Sequence, residues 1–139
     1  WHTLRGWPEC FQVLTNLKKD FRLGVVTNCS EKLGRQAAAQ IGIDFDVVIT
    51  AAQAGYYKPD PRPYELALKL ADVKASEAIF VAGSAYDMLG TSKVGLATIW
   101  HNRIGMAKPE AIPSPMLVIS SLNQLPKAIS DFEQGLIGV

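Results

Sequence analysis

Apolar positions along this chain keep two spacings in turn, one helical and one strand-like, and their alternation sets the architecture. From Trp7-Pro8 to Asp20, apolar residues fall at Phe11, Leu14 and Leu17, with Phe21 next in series. That is a helical spacing, and Pro8 suits its first turn. Leu23 to Thr27 is a short apolar run, predicted as a strand. Ser30 can cap a helix reaching Ile41, with Leu33, Ala37 and Ile41 on one face and Gly42 to end it. Asp46 to Thr50 reads as a β-branched strand, and a loop then leads to a helix over Pro63–Leu70. A third strand is expected at Ile79–Ala82, a short helix at Asp87–Val94 stopped by Gly95, and further strands at Ala97–Trp100 and Met116–Ile119. His101 to Pro115 holds three prolines and a glycine and is expected to be loop. Ser120 or Ser121 opens a last helix toward Phe132. Strands alternating with helices argue for parallel βαβ units, and 139 residues suffice for one domain, 1–139.

Composition narrows the function classes. A formal charge of +1 leaves no electrostatic footprint for nucleic acid or an acidic membrane. The one basic cluster, Lys18, Lys19 and Arg22, reads as a solvated helix end. No run approaches the roughly 18 apolar residues of a membrane span. Cys10 and Cys29 make no metal-binding pair, and neither His2 nor His101 stands near them at zinc-site spacing. Two unpatterned cysteines suit a reducing compartment, so the cytoplasm is the expected location. The chain opens on Trp1, as a processed chain or part of a longer product would.

Three strand ends carry chemistry. The first, Val25-Val26-Thr27-Asn28-Cys29-Ser30, ends an apolar run in a hydroxyl and an amide just before a helix start. Such a turn can hold an anion at the helix N-terminus, although Asn28 would equally serve to support the turn and Ser30 to cap the helix. In Tyr57-Lys58-Pro59-Asp60-Pro61-Arg62-Pro63-Tyr64, the prolines fix φ and bias the residue before each of them toward an extended conformation. Lys58 is thus held in a stiff loop, which by itself reads equally well as an ordinary surface turn. The third, Ile79 to Asp87, passes through small residues to a carboxylate, which the helix dipole would favour there in any case. Ligands of open parallel sheets bind at the carboxyl ends of the strands. Thr27, Lys58 and Asp87, in the order hydroxyl, cation, carboxylate, therefore point to a cleft for a small anion. Gly83 and Gly90 form no dinucleotide fingerprint. In phospho-receiver domains the acidic residues precede the Lys-Pro pair, whereas here Asp87 follows it.

The ordered set resembles the second, third and fourth motifs of the haloacid dehalogenase-like hydrolase superfamily, most closely its type II (S)-2-haloacid dehalogenases. The segments that carry the resemblance are VVTNCS, YKPDPRPYELAL and FVAGSAYDMLGTSKVGLATIWHNR, within a likeness running from about Gly6 to Ile129. The first motif, an Asp-x-Asp or Asp-x-x-x-Thr that follows an N-terminal strand, has no counterpart here, and neither does the cap. The implied fold is α/β, a Rossmann-like layered fold with a mostly parallel sheet lacking its first strand. That strand would lie mid-sheet, between those ending at Thr27 and Ala82, so the chain taken alone is expected to be marginally folded and catalytically silent.

The resemblance also implies roles. Lys58, Asp87 and Thr27 would be catalytic: Thr27 binding carboxylate or phosphoryl oxygens, Lys58 offsetting negative charge, and Asp87 orienting Lys58 or a water. The charge matters, because two anions 4 Å apart repel by about 4 kcal/mol at an effective dielectric of about 20. Asn28, Tyr64, Ser84 and Tyr86 would contact substrate, Asn28 also receiving a departing halide and Tyr86 forming an aromatic wall. Phosphatase branches read Gly-Asp-x-x-x-Asp and use the first aspartate for Mg²⁺. Gly83 stands at that place, so no metal and no cofactor are expected. The dehalogenase branch commonly carries serines and an asparagine where Ala82, Gly83 and Ser84 stand, which leaves the substrate open. The implied parent reaction is hydrolysis of a small 2-haloacid through an aspartyl ester, the nucleophile lying outside this chain. A Mg-dependent phosphatase and a non-catalytic anion- or partner-binding remnant are the rivals. The expected partner is a small anionic substrate, with neither nucleic acid nor membrane; a homodimer is compatible with this reading.

Overall fold

The computed structural model describes residues 5–137; Trp1 and His2 lie outside them. Within the described residues five strands form, β1 (Gly24–Thr27), β2 (Val47–Thr50), β3 (Ile79–Ala82), β4 (Ala97–His101) and β5 (Leu117–Ile119). Six helices accompany them: α1 (Cys10–Leu17), α2 (Glu31–Ala39), α3 (Ala51–Ala54), α4 (Arg62–Ala71), α5 (Asp87–Val94) and α6 (Leu125–Glu133). Short 3₁₀ turns precede β3 and α6. Among the described residues no helix is long and apolar enough to cross a membrane.

All strand pairing is parallel, in two sheets. One is β1-β2, with Thr27 opposite Thr50; the other is β3-β4-β5, with Ala82 opposite Trp100 and His101 opposite Ile119. β1 and β3 do not pair with each other. They are the two strands expected to flank the absent one, and the sheet divides between them.

Packing follows the pleat. Ile79 and Val81 of β3 turn toward a cluster built by α1, α6 and the inner residues Ile99 and Ile119. Phe80 and Ala82 turn to the other face, against Ala85, Met88 and Trp100. α1 buries Val13 and Leu17, with Cys10, Leu14 and Phe21 alongside, whereas Phe11 remains 54% exposed. The helical period was legible in the sequence, but the inward face is rotated from the one predicted.

The same correction applies to α2. Ser30 caps it, its hydroxyl accepting from the Leu33 N–H, but the buried residues are Gly34 and Ala38 in place of Ala37. A β-carbon on Gly34 would stand 2.6 Å from the Thr50 methyl and 2.9 Å from that of Thr27. The small residue lets α2 settle directly on the strands, and this contact selects the face. The turn α3 was not predicted. The Thr50 hydroxyl caps it by accepting from the Gln53 N–H, and Gly55 ends it at φ 75. The basic cluster is spent on structure, with Lys18 paired to Asp46, Lys19 to Asn16 and Arg22 to the Asp72 carbonyl.

Candidate active site

The carboxyl ends of β1 and β3 and the loop before α4 enclose a cleft of about 220 Å³. It is lined by Asn28, Lys58, Pro59, Ser84, Tyr86 and Asp87. Lys58 reaches it from its loop, the Lys58–Pro59 peptide being cis. Its Nζ lies 3.0 Å from Asp87 Oδ1, with side-chain exposures of 17% and 6%. Tyr64 donates its hydroxyl to the same oxygen at 2.6 Å. Pro61 serves as N-cap of α4 and Pro63 fits its first turn, which brings Tyr64 round to face α5. Phe80 floors the group, edge-on to Tyr64 at 5.1 Å and 5.4 Å below the Lys58 ammonium.

Tyr64 is only 1% exposed, which departs from the expected substrate contact. Its hydroxyl is spent on Asp87 beneath the cleft, so it positions the carboxylate. Burial, followed by the hydrogen bond to Asp87, pushes its phenol far above the usual range, and the ring stays neutral.

Asn28 likewise acts on the protein itself. Its Nδ2 donates to the Lys58 carbonyl at 3.0 Å, and its Oδ1 accepts from the Lys58 N–H at 2.7 Å. The side-chain amide thus clamps the lysine's backbone to the end of β1. Thr27 is not among the residues lining the cleft; its hydroxyl donates to Cys29 Sγ and its methyl packs toward Gly34. Ser84 accepts from the Tyr86 N–H at 3.3 Å, while the Tyr86 ring is 57% exposed at the cleft's rim.

The loop beyond Lys58 is stiffened by a second knot. Asp60 accepts from the backbone N–H, Nε and Nη2 of Arg62, whose guanidinium lies 3.0 Å over the Tyr56 ring. Those contacts, Arg62 foremost, hold the Asp60 carboxyl down to about 2. Pro59 and Phe80 escaped the sequence reading as site residues. Phe80 was the more accessible of the two, since the strand's alternation already set it on the face of Ala82.

Chemically, the cleft presents one ammonium neutralised by one carboxylate, with donors around it and a glycine at position 83. Among the described residues, Asp87 is the only carboxylate on its lining, and no group of three His, Cys, Asp or Glu side chains could hold a metal ion.

Comparison with known proteins fits this geometry. The profile of the haloacid dehalogenase-like hydrolases matches residues 2–101. The chain is 30% identical over 132 residues to (S)-2-haloacid dehalogenase 1 of Pseudomonas sp. (strain CBS-3), covering 93% of this chain and 58% of that enzyme. It is 27% identical to the pyrimidine 5'-nucleotidase YjjG of Escherichia coli (strain K12), covering 85% of this chain and 54% of the nucleotidase. Among solved structures, the 2-haloacid dehalogenase from Pseudomonas syringae pv. Tomato DC3000 superposes with a TM-score of 0.81 at 32% identity, over 94% of this chain and 56% of that one. The chain therefore spans little more than half the length of these relatives. With strand-end motifs, parallel sheets and family profile in agreement, the chain belongs to the haloacid dehalogenase-like hydrolases.

Proposed function

We propose that this chain is the part of a 2-haloacid dehalogenase that carries its lysine and second-step carboxylate. An aspartate from outside these residues would attack the halogen-bearing carbon and expel halide, and water would then cleave the aspartyl ester. Lys58 would draw the substrate carboxylate and the attacking carboxylate together by offsetting their repulsion. Asp87, held by Lys58 and Tyr64 through Oδ1, would orient that lysine or the hydrolytic water. Tyr86 would wall the side of the cleft nearest solvent.

The observation that carries this reading is the cleft's charge inventory. Magnesium prefers several hard oxygen ligands in near-octahedral array. The cleft offers a single carboxylate, already paired with Lys58, and Gly83 adds no side chain. These residues do not fit a magnesium ion, which disfavours the phosphatase reading although a nucleotidase is among the relatives.

The test is an assay of the full-length product for halide release from 2-chloropropionate and phosphate release from p-nitrophenyl phosphate with added Mg²⁺. Halide release alone is expected, falling about 10²- to 10³-fold in Lys58→Met. Mg-dependent phosphate release without halide would sink the proposal. Residues 1–139 alone are expected to release neither.

A further inference from the structure

We infer that Gly90 is a positioning residue: its bare α-carbon seats the Lys58 loop on α5 and so sets the distance between Lys58 and Asp87. This rests on the reading of that pair as the working groups and adds the element that brings them together.

Asp87 and Gly90 stand three residues apart on α5 and share one face of the helix. Three contacts hold that face to the lysine loop and to α4. Two are polar: Lys58 Nζ and Tyr64 Oη, both on Asp87 Oδ1. A lysine on its flexible stem can follow a carboxylate over some distance. The third is steric. A β-carbon on Gly90 would fall within 3.0 Å of both the Pro59 carbonyl oxygen and Tyr64 Cε2, and 3.1 Å from the Pro59 carbonyl carbon. Pro59 meets it with backbone, and the Tyr64 ring is enclosed on all sides, so neither can swing away. Any side chain at position 90 has to lift the loop or tilt the helix.

Gly90 is not there for backbone freedom, because it is absent from the glycines with positive φ and lies inside a regular helix. Glycine in a helix interior is less stable than alanine. Propensity alone therefore predicts that Gly90→Ala stabilises the protein. Close approach predicts the opposite, together with a specific loss of contact between Lys58 and Asp87. Gly34 offers the control: it allows a similarly close, slightly looser approach, but against methyl groups of Thr50 and Thr27 in the α2 seam.

The experiment is a double-mutant cycle on the full-length product followed by urea unfolding, with Lys58→Met, Asp87→Asn and both together. It is run in the native background, in Gly90→Ala and in Gly34→Ala. A coupling of about tenfold in the unfolding equilibrium constant is expected in the native background. It should survive in Gly34→Ala and fall to about onefold in Gly90→Ala. General destabilisation would lower all stabilities without removing that coupling. Should Gly90→Ala not fold, the cycle is run in Gly90→Ala with Tyr64→Leu against Tyr64→Leu alone, so that the lost hydroxyl is common to both and only the Pro59 contact differs; the coupling should then be smaller with alanine at position 90. A coupling absent from the native background, or undiminished with alanine at position 90, overturns the inference. The expected coupling pattern, in a full-length protein that releases no halide, would instead overturn the functional reading.

Discussion

β1 and β4 are both short, apolar, parallel strands, yet their surroundings differ sharply. β4, Ala-Thr-Ile-Trp-His, is buried at every position and paired on both sides by β3 and β5. β1, Gly-Val-Val-Thr, has no fully buried residue and pairs with β2 alone. Burial here is decided by how many neighbours a strand has, since β1, with two valines in four residues, is no less apolar than β4 with its threonine and histidine. The cleft lies across the divide between the sheets. Its rigidity therefore comes less from core packing than from polar clamps, Asn28 on the Lys58 backbone and Lys58 with Tyr64 on Asp87.

The largest expected effect contrasts the strands directly. Ile99→Ala empties a fully enclosed site in β4 and should cost about 2–5 kcal/mol. Val25→Ala in half-buried β1 should cost about 1 kcal/mol or less. Urea unfolding of both variants checks this; equal losses would mean that β1 is as tightly enclosed as β4. Next comes the clamp that bridges the sheets. Asp87→Ala strands the Lys58 ammonium in a mostly buried position and should cost about 2–3 kcal/mol, below the range for fully buried pairs because Lys58 keeps some water. A Lys58→Met/Asp87→Leu double variant should recover part of that loss in the same measurement.

Asn28→Ala should be milder, about 1–2 kcal/mol, because it leaves the Lys58 backbone groups near solvent. Its more telling result is faster amide exchange in residues 56–60 with β4 unchanged. Protection lost equally in both sheets would contradict the view that the clamp acts locally.

The smallest effect is a pH dependence at the end of β4. His101 is 9% exposed, edge-on to Trp7 at 6.4 Å, with Nε2 unpartnered among the described residues. Burial first, then the nearby Arg103, lower its pKa below the usual 6.5, while Glu9 opposes them. The unfolded chain therefore takes the proton more readily, and stability falls as pH drops from about 6.5 toward the lower folded value. His101→Gln should flatten that slope in thermal unfolding between pH 7 and 5. Glu9 acts in a separate window. Arg103 above all, with the Leu122 N–H and the Ser121 hydroxyl, holds its carboxyl down to about 2. Its stabilising contribution is present above about 4.5 and is lost only as pH falls toward 2.

Local chemistry made much of this protein legible in its sequence. β3 and α5 have the bounds that the apolar run and Gly95 predicted, because strands and helix stops are written in neighbouring residues. Of the three residues whose order pointed to a cleft, Lys58 and Asp87 come together, whereas Thr27 stays off its lining. Only the tertiary structure decided which faces turn inward and what each polar group is spent on. Phe11 faces out and Ala38 in because α1 and α2 meet surfaces far away in the chain, and Gly34 permits an approach no local pattern records. Tyr64 and Asn28 became supports for Asp87 and Lys58 because three separate chain segments converge at one oxygen and one peptide group. Periodicity specifies an element's conformation over a few residues, whereas the assignment of a hydrogen bond depends on which distant partner the packed fold leaves within reach.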